Sequence, residues 1–200
     1  MYRAISRPTI LAVILQLLWA PAVMAQQRVS MTVDGFNGFT WGTPLTAIVE
    51  ALGEPVQADT LDGEMLVIAY RDKLEQSASV AMYAILQREG LVKGQHSISF
   101  DELSSTGDCE AEFIRLRKYL LLKYPMIVPE DRSRNDSSKA FCAAVLDGDA
   151  AWISTWNDSS TGARAMVVID AGKPRLNVVF ESARFIEWVE NREAGAAPAN

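Results

Sequence analysis

The order of secondary-structure signals along the chain predicts an α+β fold, with one antiparallel sheet and two main helices packed on one of its faces. Three observations lead to this fold class. Two segments carry the capping residues and the apolar spacing of helices. Runs of strand-like segments follow both of them, and turn residues separate the strands. Because the strands come in runs, an alternating parallel fold is not expected. The repeated order, a helix and then strands, also indicates two similar halves.

The first helix is predicted over residues 44–52. Thr43 is a good N-cap, Pro44 suits the first helical position and Gly53 suits the C-terminal stop. Its apolar residues are three or four positions apart and therefore share one face, namely Leu45, Ile48 and Leu52. Just upstream, the segment 36–42 interleaves aromatic residues with glycines. This pattern predicts a tight loop whose rings anchor it to the core.

The middle of the chain predicts strands and then a second helix. The three strands are expected over residues 65–70, 78–87 and 91–100. The helix is expected over residues 108–124, with Pro125 directly after it. Its apolar stripe has a spacing of three or four residues, and consists of Cys109, Phe113, Leu116, Leu120 and Tyr124.

The last third of the chain has the pattern of an antiparallel meander. The polar segment 130–139 is predicted to be a loop. Four strands separated by Asp, Asn, Gly and Pro turns are then expected over residues 140–146, 150–156, 164–170 and 175–180. Ser182 can cap a short final helix. From Glu193 the sequence is rich in alanine, glycine and proline, so residues 193–200 are predicted to be a disordered tail.

The first 25 residues have the pattern of a secretory signal. Arg3 and Arg7 form a positive start, residues 10–20 are apolar except for one glutamine, and small residues precede a cleavage site after Ala25. An N-terminal membrane anchor is the alternative, but the apolar run is about half of the ~20 residues that span a bilayer. We therefore expect a periplasmic or secreted protein with one domain over residues 26–192 and no membrane anchor after cleavage.

The composition excludes several classes of function. The chain has 19 basic and 25 acidic residues, a formal charge of -6, and no Lys/Arg-rich stretch, so a nucleic-acid partner is not expected. Cys109 and Cys142 are its two cysteines, and export favours a disulfide between them over two free buried thiols. One histidine and two paired cysteines cannot supply a zinc site. The chain also lacks a phosphate-cradling glycine loop, and no cofactor is expected.

The residues around the first helix carry a resemblance to known exported bacterial proteins. The segments Trp41–Pro44 and Leu52–Pro55 resemble a signature of small outer-membrane-assembly lipoproteins and of β-lactamase-inhibitor proteins, which share a helix-plus-antiparallel-sheet unit. The sequence is also similar to uncharacterised periplasmic proteins with a later helix that ends like Lys123–Pro125. The resemblance implies the fold type and a binding-module role, and it transfers no catalytic residue.

Catalytic chemistry has few candidate residues in this sequence. His96 is the single histidine, and no nucleophile motif lies beside it. Local carboxylate clusters occur at 101–102, 108–112, 130–131 and 147–149. Glycosidase chemistry needs two acids facing each other across a cleft, which adjacency in sequence does not show. We therefore expect no enzyme, and we keep a small periplasmic hydrolase that uses carboxylates or His96 as the alternative function.

Two tryptophans are the candidate binding residues. In the strand 150–156, Trp152 and Trp156 point to the same side. They either pack in the core beneath the helices or form an aromatic platform on the open face of the sheet, which would bind a partner. The expected partner is a protein or peptide of the cell envelope. The negative net charge favours one with basic character.

Overall fold

The computed structural model describes residues 31–61, 63–100 and 108–196, and it shows the predicted α+β fold. The predicted signal segment, residues 1–25, lies outside the described residues. The described residues contain no helix that is both long enough and apolar enough to cross a bilayer.

Eight antiparallel strands form the main sheet, and a two-stranded hairpin lies beside it. The hairpin strands are β1 (Gly35–Phe36) and β2 (Phe39–Thr40). The strands of the sheet are β3 (Gln57–Leu61), β4 (Met65–Leu74), β5 (Ser77–Leu86), β6 (Gly90–Ser99), β7 (Glu130–Asn135), β8 (Ala150–Asn157), β9 (Arg164–Ile169) and β10 (Arg175–Glu181). Their order across the sheet is β3-β4-β5-β6-β10-β9-β8-β7, so β3 and β7 are the edges.

The four helices of the described chain lie on both faces of the sheet, but unequally. They are α1 (Leu45–Leu52), α2 (Asp108–Lys123), α3 (Phe141–Asp147) and α4 (Ala183–Ala196). Buried residues of α1, α2 and α3 join one large core with alternate residues of the strands. Phe185 of α4 belongs to a second, smaller cluster with Met65, Leu86 and Val92. The sheet therefore has a helix-covered face, beneath α1–α3, and an opposite face that α4 covers at one end.

Two halves of similar element order build this sheet. The first half runs from α1 through β3, β4, β5 and β6, and the second from α2 through β7, α3, β8, β9 and β10. The last strand of each half pairs at the centre, where Val178 lies opposite His96. Each half thus consists of a helix and a four-stranded meander, with α3 inserted in the second.

Three elements differ from the sequence prediction. Residues 140–146 form the helix α3 rather than a strand, and Gly148 ends it in the left-handed conformation with φ 87°. The segment predicted as a loop contains the edge strand β7, and the other edge strand, β3, was not predicted. Every residue of both edge strands is exposed, so neither has the apolar alternation by which a strand is recognised.

The ends of the helices confirm some predicted caps and correct others. Gly53 ends α1 with φ 80°, as predicted. Thr43 does not cap α1, because its hydroxyl donates to the Thr40 carbonyl and Pro44 holds the N-cap position. Ser182 caps α4 by accepting a hydrogen bond from the Phe185 N–H, at 3.1 Å. That helix continues to Ala196, so the predicted disordered tail is wrong for residues 193–196, and residues 197–200 lie outside the described part.

Two long-range links hold the helix-covered side together. The predicted disulfide between Cys109 and Cys142 is present and joins α2 to α3, with 6.0 Å between the Cα atoms. Asp158, in the turn after β8, accepts hydrogen bonds from the Val33 N–H and from the Thr161 hydroxyl. This carboxylate therefore ties the segment before β1 to the other half of the sheet.

Candidate functional site

A polar cluster lies where the β1–β2 hairpin meets the helix-covered face of the sheet. The turn of this hairpin is Asn37–Gly38, and both residues have the positive φ values, 49° and 85°, that a two-residue hairpin turn requires. The turn directs the Asn37 amide onto the sheet. Its nitrogen donates to the Asp72 carboxylate at 3.0 Å and to the Tyr83 hydroxyl oxygen at 3.1 Å.

His96 is the buried centre of this cluster. Its Nε2 lies 3.0 Å from the Asn37 carbonyl oxygen, and its Nδ1 lies 3.1 Å from the Ser79 hydroxyl. Since the Asn37 oxygen can only accept, Nε2 carries the proton and Nδ1 accepts from Ser79. Burial lowers the pKa of His96 to about 4, although the charge of Asp72 acts in the opposite direction. The imidazole is therefore neutral at neutral pH.

The order Ser79–His96–Asn37 is that of a nucleophile, a base and a group that orients the base. Access limits what it can do, because Ser79 is 7% exposed and His96 is 2% exposed. A hollow of about 480 Å³ lies beside Asn37, Asp72 and Tyr83, but neither Ser79 nor His96 is among the described residues that line it. In this conformation a substrate does not reach the hydroxyl, and the cluster fixes the hairpin to the sheet.

Sequence reasoning found His96 but missed its partners. Ser79 and Asn37 are 17 and 59 residues away from it along the chain, so only the folded sheet brings them together. The Asn-Gly dipeptide was the one available signal for the hairpin turn.

Three of the candidate carboxylates are on separate elements, and each of these three has a nearby cation. Glu112 of α2 pairs with Arg115 at 2.6 Å. Asp131 of β7 pairs with Arg117 at 2.7 Å, and this ion pair lowers the pKa of Asp131. Asp147 pairs with Lys139, while residues 101–102 lie outside the described part of the chain. These three acids do not face one another across a cleft, so they do not form the pair that a glycosidase needs.

Lys123, at the end of α2, is a cation held among aromatic rings. Its ammonium group lies 4.8 Å from the centre of the Phe180 ring and 5.4 Å from that of Tyr124. Burial lowers the pKa of Lys123, and the charge of Asp34 partly offsets this effect. The contacts are those of a cation–π cage, which stabilises the packing of the helix end on the sheet.

The two candidate tryptophans lie on the helix-covered face. Trp156 is fully buried in the main core. Trp152 is half-buried, stacks on Phe113 of α2 at 4.2 Å between ring centres, and meets the Phe141 ring edge-on at 5.8 Å. The core alternative is therefore correct, and these residues do not form an aromatic platform on the open face. The helices cover the face to which both side chains point.

The opposite face of the sheet carries apolar side chains that α4 does not cover. One register row crosses seven strands on this face, and consists of Arg71, Val80, Ser97, Asn177, Val168, Ile153 and Arg132. Paired residues of an antiparallel sheet share a face, so this row follows from the register alone. Val80 is 39% exposed, and beside it a shallow hollow of about 390 Å³ extends to Met82 and Arg175. We call the part of this face that α4 leaves uncovered the open face.

The fold and these contacts define an α+β protein with one helix-covered sheet face and one open face. Within the described residues, no group of three or more His, Cys, Asp or Glu side chains is placed to hold a metal ion. Comparisons with protein-family models, with curated proteins and with solved structures found no match. The resemblance to lipoproteins and inhibitor proteins therefore stays a prediction from the sequence.

Proposed function

We propose that this protein is an exported, non-enzymatic binding or inhibitor-type module that holds a protein or peptide partner of the cell envelope on its open face. The proposal rests on the unequal coverage of the two sheet faces: α1–α3 cover one face, whereas α4 covers the other at one end only. On the open face Val80 is exposed and Ile153 is half-buried, and no described helix packs over them, whereas Val168 between them is buried. Uncovered apolar area of this kind is typical of an interaction surface.

The covalent and polar chemistry of the chain also supports this function. The Cys109–Cys142 disulfide fits an oxidising compartment, in agreement with the signal pattern of residues 1–25. The Ser79–His96 pair is enclosed, and Glu112, Asp131 and Asp147 are each paired with a cation. These features favour a surface for contact over a cleft for chemistry.

A small hydrolase is the second candidate, because one contact favours it. The Ser79 hydroxyl donates to His96, which is the contact that activates a serine nucleophile. For catalysis the β1–β2 hairpin would have to lift and expose both groups. A fluorophosphonate probe tests this directly: labelling of Ser79 that disappears in Ser79→Ala would favour the enzyme and contradict the binding proposal. We expect no labelling.

The binding proposal is tested by substitutions on the two faces of the molecule. The purified protein is used to capture partners from envelope extract, and each captured protein is then made separately and titrated by calorimetry. The open-face variant Val80→Asp/Ile153→Asp should lose binding. The control variant Ile114→Asp/Leu122→Asp changes side chains on the outside of α2 that are 51% and 55% exposed, and it should bind like the wild type. Equal affinities of both variants would refute the proposal.

A further inference from the structure

We infer that the open face binds an acidic, extended polypeptide segment, which deepens the proposed binding function and rests on it. The reason is the distribution of charge. The whole chain is acidic, with a formal charge of -6. Its open face is basic at the end that α4 leaves uncovered, so local charge and net charge point to opposite kinds of partner.

Five exposed cations share this end of the open face, as the strand register shows. They are Arg71 and Lys73 on β4, Arg175 on β10, and Arg132 and Arg134 on β7. We call them the basic end. In the same two register rows the open face carries one acid, Asp170, which is paired with Lys173 at 3.3 Å.

Most of the charge of the basic end is not neutralised inside the described chain. Within the described residues, Arg71, Lys73 and Arg175 have no carboxylate oxygen within 4.0 Å. Arg132 makes a long contact of 4.0 Å with Glu130, and Arg134 one of 3.4 Å with Asp136. These two pairs are solvent-exposed and therefore weak. Among the described residues, no acid competes with an anionic partner for Arg71, Lys73 and Arg175.

The spacing of the cations fits a polypeptide better than other polyanions. Arg71 and Arg132 end a row that spans six strand intervals, or about 29 Å, and Arg175, in the next row, is on the middle strand of the seven. The cations of β4, β10 and β7 thus form three groups separated by about 14 Å, whereas a nucleic-acid strand carries a phosphate every few Å. An extended peptide of about nine residues covers the same distance and can place acids at its ends and centre.

The floor between the cations supports the same occupant. It consists of apolar and small neutral side chains, including Val80, Ser97, Val168 and Ile153. The hollow beside Val80 also has Asp59 and Arg175 in its lining, so we expect the acids of the peptide to lie at the cations and an apolar side chain to lie over the hollow. Such a floor accepts the apolar side chains of a peptide between its acidic residues. A flat anionic bilayer would meet the outer cations and leave the recessed floor empty.

The test uses a fluorescein-labelled peptide of twelve residues with two glutamates at each end, two in the middle, and valines and threonines between them. Fluorescence anisotropy gives its affinity for the purified exported protein, and a peptide with lysines in place of the glutamates serves as the ligand control. We expect the acidic peptide to bind at least tenfold more tightly than the basic one, and its affinity to fall as salt is added.

Two charge-reversal variants with the same change in net charge distinguish binding at the basic end from non-specific electrostatic attraction to the whole protein. Arg71→Glu/Arg132→Glu/Arg175→Glu changes the basic end. Arg88→Glu/Lys118→Glu/Arg184→Glu changes three exposed cations elsewhere. We expect the first variant to weaken peptide binding at least tenfold and the second to change it less than twofold. All six residues are on the surface, and circular dichroism checks folding. If the triple variant of the basic end does not fold, Arg175→Glu alone must still weaken binding at least threefold.

Several results would overturn this inference. Equal losses in the two triple variants would show a general charge effect. Tighter binding of phosphatidylglycerol vesicles or of a single-stranded oligonucleotide, lost in the same variant, would assign the basic end to another polyanion. If Val80→Asp/Ile153→Asp abolishes partner binding while the charge reversals do not, the acidic-peptide inference fails and the binding function stands. If neither set of variants affects any captured partner, both fail.

Discussion

Replacement of Gly94 by alanine should destabilise this fold strongly, because the Phe36 ring occupies the space that a side chain would need. Gly94 lies in β6 on the helix-covered face, opposite Tyr83 and Phe180 of the neighbouring strands. A Cβ atom at Gly94 would lie 2.0 Å from Cγ and 2.2 Å from Cδ1 of Phe36. Contacts this short are not tolerated, so the ring or the strand has to move.

The expected cost follows from how firmly the ring is held. Phe36 is 2% exposed and touches three rings: those of Tyr83 and His96, each with its centre 5.0 Å away, and that of Phe180 at 5.5 Å. Overpacking of a core costs about 1–3 kcal/mol. Complete loss of a buried phenylalanine costs about 3–5 kcal/mol. Asn37 follows Phe36 directly, so a displaced Phe36 would also carry Asn37 away from His96. We therefore expect Gly94→Ala to lower the free energy of unfolding by about 3 kcal/mol.

Urea unfolding of the wild type and four variants tests this reasoning. Gly195→Ala is the control, because a Cβ there has no atom within 4 Å and the position is helical. It should leave stability unchanged or raise it by up to about 1 kcal/mol. Phe36→Ala and the double variant complete a double-mutant cycle with Gly94→Ala. In the Phe36→Ala background Gly94→Ala should cost less than about 1 kcal/mol. The explanation is refuted if Gly94→Ala costs the same in both backgrounds or nothing in either.

Four other buried groups should respond measurably to pH or to substitution. Burial lowers the pKa of His96 from 6.5 to about 4, so the free energy of unfolding in urea should fall by about 3 kcal/mol as pH drops from 6.5 to 4, and His96→Gln should remove this slope. Burial raises the pKa of Asp158, but the hydrogen bonds that its carboxylate accepts have a larger effect and lower the pKa to about 2. In the same titrations the free energy of unfolding should therefore fall by about a further 2 kcal/mol below pH 4, and this fall should be absent in Asp158→Asn. Replacing Cys109 and Cys142 by alanine opens a loop with a separation of 33 residues and should cost roughly 3–4 kcal/mol in thermal unfolding; a cost below about 1 kcal/mol would contradict this. Trp156→Ala should cost about 3–5 kcal/mol by calorimetry, and a neutral result would place that ring outside the core.

Elements with their own local signals were predicted well. The helix α1 ends at Gly53 with a positive φ, and the stripe of α2 from Cys109 to Tyr124 is buried as its spacing predicts. The strands β4, β5 and β6 were found because their apolar residues are continuous or alternate. In each of these cases the residues that define the element also bury its apolar side.

Elements whose state depends on tertiary position were mispredicted. The segment 140–146 is short and apolar, so its residues favour a strand and a buried helix about equally. It is helical in the fold, where Cys142 is bonded to α2 and Gly148 turns the chain into β8. The edge strand β7 is polar throughout because it has no neighbour on one side, and charged residues protect such an edge from pairing with other chains.

The distribution of charge over the open face could not be inferred from the composition, because a sheet sorts charges by register. The net charge of -6 favours a basic partner, whereas the exposed cations on which the acidic-peptide inference rests come from three strands that are far apart in sequence. Arg71, Arg175 and Arg132 share one face only because β6 pairs with β10 in the register that sets Ser97 opposite Asn177. A shift of that pairing by one residue would move Arg175 to the helix-covered face. The register of the central β6–β10 pair, where the two halves of the chain meet, therefore determines which charges lie on the open face. A substitution that disturbs this pair should alter peptide binding even if it changes no charged residue.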